Sequence, residues 1–383
     1  MNQLPAPASP VATKTARKLT FRRKLLFASV SVLVFLLACE AALRVRAWIK
    51  YGSFGSDMDV QSVYSPELGF DVPRPGYESH GSTASVKINS LGFRGEEITL
   101  AKPSGTVRIA CIGASTTYCT GVINNESAWP YLLQELLRKK YPGVSWEVIN
   151  AGLPARRMGP IIKNLKVRVL PLEPDLVIFY EAHNQMVDDT RKLALEQGLI
   201  SSEASRGSAT AESLARWSLV FNLCHRNLHF MSALSDSKQG KLNSVPTDLN
   251  KTYLNYLAEM HGELKARRVP LAVSPFFVKF RREQERSVQV ANADFASYFM
   301  PWMSIEDLNN AFDAYNKGLV DYARANDMPV IEETTSIPGD AKHFVDCCHF
   351  SAAGCVLMAN RMLTTLEQGG TLQRIMAARK QAK

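Results

Sequence analysis

Cys111-Ile-Gly-Ala-Ser-Thr-Thr117 is the stretch on which the reading of the fold turns. The apolar run Val107 to Ile112 leads into Gly113, and a lone serine, Ser115, follows with two threonines behind it. Such a run reads as a buried strand that stops at glycine and passes into a helix start. A serine at that junction stands at the carboxyl end of a strand, where backbone N–H groups are free and ligands bind. Taken alone, the string reads better as a helix N-cap, a position that favours Ser and Thr.

Outward from it, short apolar runs alternate with amphipathic stretches. Strands are predicted at Val107–Ile112, Trp146–Asn150, Asp175–Tyr180, Pro270–Pro275 and Met328–Glu332. Helices are predicted at Ala128–Tyr141, Gly159–Leu170, Leu249–Arg267, Ile305–Ala325 and Ala352–Glu367. Strands joined by helical crossovers make a parallel sheet covered on both faces, so the expected fold is a three-layer α/β/α sandwich around five parallel strands. One crossover is too long: residues 186–248 form an insertion that leaves the carboxyl edge of the sheet and is placed to cap a site there. The next connection, 276–303, carries Phe276, Phe277, Phe280, Phe295, Tyr298, Phe299 and Trp302, which serve either as a pocket wall or as ordinary core.

A serine nucleophile needs a base, a group that orients the base, and donors for an oxyanion. Asp346-Cys-Cys-His349 supplies a carboxylate and an imidazole three residues apart, just before a helix. His349 is suited to accept the serine proton, and Asp346 to hold the imidazole in the required tautomer. Donors are expected at two strand ends: the loop Asn150-Ala-Gly-Leu-Pro-Ala155 through a backbone N–H, and Asn184 through its side-chain amide. His183 reads equally as pocket lining or as a structural histidine. Arg156 and Arg157 read as a solvated pair.

These four blocks, in this order, resemble the SGNH hydrolases, or GDSL-type esterases, over residues 103–368. Gly113-Ala-Ser-Thr-Thr117 is similar to the nucleophile block, Asn150 to Ala155 to the glycine block, Asn184 to the asparagine block and Asp346-x-x-His349 to the last. The resemblance implies a flavodoxin-like sheet, Ser115 as nucleophile, His349 as base and Asp346 as its partner. It implies an oxyanion hole made by Asn184 and the backbone N–H groups of Ser115 and Ala155. Four positions depart from the family pattern. Ala114 stands where aspartate is common, and Ala155 where a glycine is expected, so a positive φ there would be strained. Ala182 and Gln185 flank Asn184 in place of the commoner Gly and Asp. Glu67-Leu-Gly-Phe70 and Ile88-Asn-Ser-Leu-Gly-Phe-Arg-Gly95 resemble the lead-in of membrane-anchored bacterial members, several of which belong to exopolysaccharide or surface-glycan systems.

The net charge of +9 is confined to one end. Residues 1–50 carry nine Lys or Arg and one acid, Glu40, leaving 36 basic against 35 acidic residues in the rest of the chain. A nucleic-acid-binding body would carry the excess itself, so no nucleic-acid partner is expected. Six positive charges precede an apolar run at 25–43, which reads as a single-pass signal anchor in a bacterial inner membrane. Residues 1–24 would then be a cytoplasmic basic tail and the catalytic domain would lie on the periplasmic side. A cleaved signal peptide, or a lipoprotein signal ending at Cys39, is the rival reading. Residues 44–102 read as a small irregular β-containing lead-in, and 369–383 as a C-terminal tail. Six exported cysteines allow up to three disulfides. No nucleotide, haem or zinc pattern is present, so no cofactor and no metal are expected. The expected activity is hydrolysis of acyl esters, O-acetyl above all, on a glycan or related substrate. An acetyltransferase using the same triad and a non-catalytic glycan-binding or assembly factor are the alternatives.

Overall fold

The computed structural model describes residues 20–51, 54, 61–79, 85–200, 214–215, 217–236, 240–331, 333 and 335–381. Most of the expected basic tail at 1–24, part of the insertion at 186–248 and the last residue of the fifth predicted strand lie outside the described residues.

Helix α1 (Phe21–Tyr51) is, among the described residues, the one helix long and apolar enough to cross a membrane, and its apolar window is not buried in the protein. Its 31 residues span about 46 Å, more than the roughly 30 Å of a bilayer's hydrocarbon. The lead-in begins as an antiparallel hairpin of β1 (Ser62–Ser65) and β2 (Phe70–Pro73). It then reaches the main sheet through a single antiparallel bridge from Arg94 to Asn150.

The body opens with β3 (Thr106–Gly113), whose eight residues are all buried, and α2 (Ser115–Tyr118). Arg108 is tolerated inside that strand because its guanidinium pairs with Glu147 at 2.7 Å and donates to the carbonyls of Leu172 and Thr99. Then come α3 (Trp129–Lys140), β4 (Ser145–Gly152), α4 (Met158–Asn164), β5 (Leu176–Tyr180), α5 (His183–Glu196) and α6 (Leu219–Asp236). The chain continues with α7 (Lys251–Ala266), β6 (Leu271–Val273), α8 (Arg286–Asn292), α9 (Asp294–Phe299), α10 (Ile305–Ala325), α11 (Ala352–Gln368) and α12 (Thr371–Gln381). Three basic residues close α3, where they meet the negative end of the helix dipole. A capping box of Ser304 and Asp307 starts α10. The long helix predicted over 159–170 is shorter: α4 gives way to a π turn at Leu165–Val169 and a 3₁₀ turn at Leu170–Leu172, which contains Pro171.

The fold is mixed α/β, with a parallel sheet in the order β4-β3-β5-β6. Among the described residues it has four strands, not the five expected. The predicted fifth makes one isolated parallel bridge, Val330 to Val273. Pro329 has no N–H to donate, and Pro270 and Pro275 bracket the three-residue partner, so the ladder does not extend. Two groups of helices pack on this sheet: α3, α11 and α12 form one, and α4, α5, α7 and α10 the other. The register sets Gly113 opposite both Gly152 and Tyr180, so three carboxyl ends meet at one edge.

Two expected segments behave otherwise. The C-terminal tail is helical: α12 buries Leu372 and Ile375, and Arg379 pairs with Asp175. Within the insertion, α6 lies along α1 and also touches α9. Glu40 of α1 accepts hydrogen bonds from the Ser218 hydroxyl and the N–H groups of Leu219 and Val220, which caps the start of α6. All seven cysteines are free thiols, so none of the disulfides left open by the sequence is present.

Candidate active site

Ser115 sits where β3 turns into α2, and close packing holds that turn. A Cβ on Gly113 would collide with the Tyr180 carbonyl and the Thr117 side chain, and one on Gly152 would strike the Tyr118 backbone. Thr117 Oγ1 donates to the Tyr180 carbonyl at 2.8 Å, tying α2 to the neighbouring strand end. Behind the serine, the buried Arg94 guanidinium donates to the carbonyls of Tyr118, Cys119, Val122 and Asn124 and to the Asn125 side chain. One planar fork thereby serves four carbonyls of the loop that follows the serine. Arg94 comes from the lead-in, where Asn89 accepts from the Leu91 and Phe93 N–H groups and Gly92 takes φ +80° to form the turn.

Asp346 and His349 lie on a loop pinched by the Phe344–Phe350 bridge and a Val345 N–H to His349 carbonyl bond. His349 Nε2 is 2.8 Å from Ser115 Oγ, and its Nδ1 is 2.7 Å from Asp346 Oδ2. The other carboxylate oxygen, Oδ1, accepts the backbone N–H groups of Cys348 at 2.9 Å and His349 at 2.8 Å. Burial works to raise the Asp346 carboxyl, but the imidazole and these N–H groups outweigh it and hold the carboxyl below the usual carboxylate value. The Ser–His–Asp hydrogen-bonded chain is complete.

Ser115, Ala155 and Asn184 all line one cavity of about 640 Å³, together with His349. Ala155 adopts φ +58°, the left-handed conformation in which alanine carries strain that glycine would not. The Asn184 amide donates to the Arg156 carbonyl at 3.0 Å, which joins the loop of Ala155 to the start of α5. The Asn184 N–H in turn donates to Glu181 Oε1 at 2.6 Å. Burial pushes the Glu181 carboxyl up to about 8, against the pull of the Asn184 and Gln185 N–H groups. Gln185 is buried and has a structural use: its amide donates to Asp189 and its carbonyl accepts the Met158 N–H.

Of the aromatics in 276–303, Phe295 and Phe299 line the cavity, whereas Phe276, Phe277 and Phe280 are buried core. Phe295 meets the His349 ring edge-on, 5.6 Å between centroids. Arg156 and Arg157 both line the cavity: Arg157 pairs with Asp188 at 2.6 Å, and Arg156 lies over the Phe70 ring. His183 is a cavity residue as well, one the sequence left undecided. Arg94 was missed. The only signal for it was an arginine inside the apolar lead-in motif. Among the described residues, two groups of side chains have the donor atoms to hold a metal ion, His183 with Cys347 and Cys348, and Asp346 with Cys348 and His349. The second is spent on the hydrogen bonds just described.

No family model matches the chain, and neither does any curated protein. Solved structures do. A lipolytic protein of the G-D-S-L family from Desulfitobacterium hafniense is 13% identical at a TM-score of 0.40, over 68% of this chain and 100% of that one. The acetylxylan esterase Axe2 of Geobacillus stearothermophilus is 14% identical at 0.42, over 69% and 95%. A lipase/acylhydrolase of Enterococcus faecalis is 15% identical at 0.41, over 69% and 96%.

Proposed function

We propose that the protein is a serine esterase of the SGNH type, anchored by α1 and exported, that removes acyl groups, O-acetyl first among them, from a glycan or a related ester. The observation that carries this is the 2.8 Å contact of Ser115 Oγ with His349 Nε2, backed by Asp346 on the far ring nitrogen. A serine hydroxyl holds its proton too tightly to attack an ester unaided. His349 accepts that proton as Oγ bonds to the carbonyl carbon, and Asp346 stabilises the imidazolium that results. The carbonyl oxygen becomes an oxyanion, for which the Ser115 and Ala155 N–H groups and the Asn184 amide are the donors. Each such donor contributes about 3–4 kcal/mol in the transition state. Collapse expels the alcohol, protonated by His349, and leaves an acyl group on Ser115. His349 then takes a proton from water, hydroxide adds to the acyl carbon, and the carboxylic acid leaves as Oγ regains its proton.

The substrate class rests on the cavity and the membrane helix. Phe295 and Phe299 give an apolar wall for a short acyl group or a sugar face, and the cavity volume of about 640 Å³ has room for more than a short acyl chain. The test is hydrolysis of p-nitrophenyl acetate and of acetylated oligosaccharides by the full chain in detergent. Ser115→Ala is expected to lower kcat by at least about 10³-fold. An unchanged rate in that variant overturns the assignment.

A further inference from the structure

Behind the cavity wall lies a group of side chains that ester hydrolysis leaves unused. His183 is 5% exposed, and neither of its ring nitrogens has a hydrogen-bond partner. A buried imidazole normally satisfies both, since one nitrogen donates and the other accepts. Its ring is stacked against Phe276, Phe295 and Phe312. A neutral imidazole keeps a free lone pair on one ring nitrogen, the form in which histidine binds a metal. Two thiols lie beside it. Cys347 and Cys348 are 0% and 1% exposed, and their sulfurs and a His183 nitrogen all lie within 4.8 Å of one another.

We propose that His183, Cys347 and Cys348 form a binding site for one thiophilic divalent cation, with Zn²⁺ as the type. One nitrogen and two sulfurs are a characteristic donor set for such an ion, and two thiolates balance its charge in a buried position. Each thiol gives its proton to solvent as the ion binds. Zinc bonds of about 2.3 Å to sulfur and about 2.0 Å to nitrogen set ligand separations near 3.3–3.8 Å. From separations of at most 4.8 Å, the three donors therefore close in by at most about 1.5 Å. His183 is one of the residues that line the cavity, and the two buried thiols lie behind it. The side chains of His183 and Cys347 take no part in the Ser115–His349–Asp346 chain of hydrogen bonds, so the site is separate from it.

The site is nonetheless coupled to that chain. Cys348 Sγ lies 3.8 Å from His349 Nδ1, and the Cys348 N–H is one of the two that anchor Asp346 Oδ1. Drawing Cys348 toward a metal shifts the loop that aims the imidazole, and a displacement of about 1 Å can cost about 10²-fold in rate. Loading therefore switches hydrolysis off. This consequence rests on His349 being the base; the cation site itself does not.

The test uses the full chain in detergent, stripped of metal and kept reduced. Zn²⁺ is titrated against a chromophoric chelator, and Co²⁺ is added in a parallel sample to look for thiolate charge-transfer absorption. Wild type is expected to bind one equivalent, show that absorption and lose at least about tenfold of its esterase rate. Cys347→Ser is expected to keep its metal-free rate, bind at least about tenfold more weakly and escape inhibition. His183→Phe, which fills the same ring-lined space, is expected to weaken binding as much. The proposal is overturned if wild type binds no Zn²⁺ at micromolar concentration, or if both variants bind as tightly as wild type. Inhibition that persists unchanged in Cys347→Ser also overturns it, since the ion would then sit on the triad. If the chain hydrolyses no ester, the binding and absorption results still decide the site, and the esterase reading alone has failed.

Discussion

Replacing Asp346 with asparagine exchanges one carboxylate oxygen for an NH2 group and leaves the shape of the loop nearly intact, yet the hydrogen-bond geometry allows the new amide no good orientation. With Nδ2 toward His349, the amide donates to Nδ1, which forces the proton onto Nε2. His349 then cannot accept from Ser115, 2.8 Å away. With the amide flipped, its carbonyl serves Nδ1, but Nδ2 is driven against the Cys348 and His349 N–H groups that Oδ1 now accepts at 2.9 and 2.8 Å. Two donor–donor contacts cost about 1–3 kcal/mol each, so the first orientation wins and the wrong tautomer dominates. The expected result is a fall in kcat of about 10³–10⁴-fold, equivalent to about 4–5.5 kcal/mol, with KM within a few-fold of wild type. Steady-state hydrolysis of p-nitrophenyl acetate measures this, and a thermal melt within a few degrees of wild type shows that the fold survives. A variant that keeps more than a tenth of wild-type kcat would refute the argument.

The buried Glu181 carboxyl predicts a pH dependence of stability. Its folded value, about 8, is raised above the ordinary 4.5, so its stabilising contribution is complete below about pH 4.5 and is lost as pH rises through 8. Glu181→Gln removes that loss: its Tm advantage over wild type grows from pH 5 to pH 9, toward an upper bound of about 5 kcal/mol, and a pH-independent difference would refute the assignment. Arg94→Met strands the carbonyls that the guanidinium now serves. It is expected to cost about 3–5 kcal/mol in denaturant unfolding and to lower kcat as the loop behind Ser115 loosens, whereas a loss below about 1 kcal/mol would show that the clamp is dispensable. At the left-handed Ala155, glycine is expected to match or exceed wild-type stability by up to about 1 kcal/mol, and valine to lose more than about 1 kcal/mol. Equal melting temperatures for the glycine and valine variants would contradict the strain.

Much of the architecture was legible because it rests on local pattern. The run ending at Gly113 announced a buried strand, and the alternation with amphipathic stretches announced a parallel sheet. Helix α10 carried its own start signal in Ser304 and Asp307. The fifth strand was misjudged because its apolar run satisfies periodicity, while pairing depends on a partner only three residues long between two prolines. Among the described residues the C-terminal segment carries only two buried apolar side chains, Leu372 and Ile375, and its helix is fastened to Asp175 by a pairing 204 residues distant. No local pattern records a partner so far away.

The same division holds at the site. The order and spacing of Ser115, Asn184, Asp346 and His349 named the chemical groups, because each falls at a strand end or just before a helix. Only the tertiary structure decided that 234 residues of separation close to 2.8 Å between Ser115 and His349. Only it set the left-handed backbone at Ala155, the Arg94 clamp and the unpartnered His183 beside two thiols. The physical reason is the same in each case. Periodicity and turn chemistry act between neighbours in the chain, whereas a hydrogen bond, a desolvated imidazole or a close glycine contact is set by whatever the packed sheet brings from elsewhere.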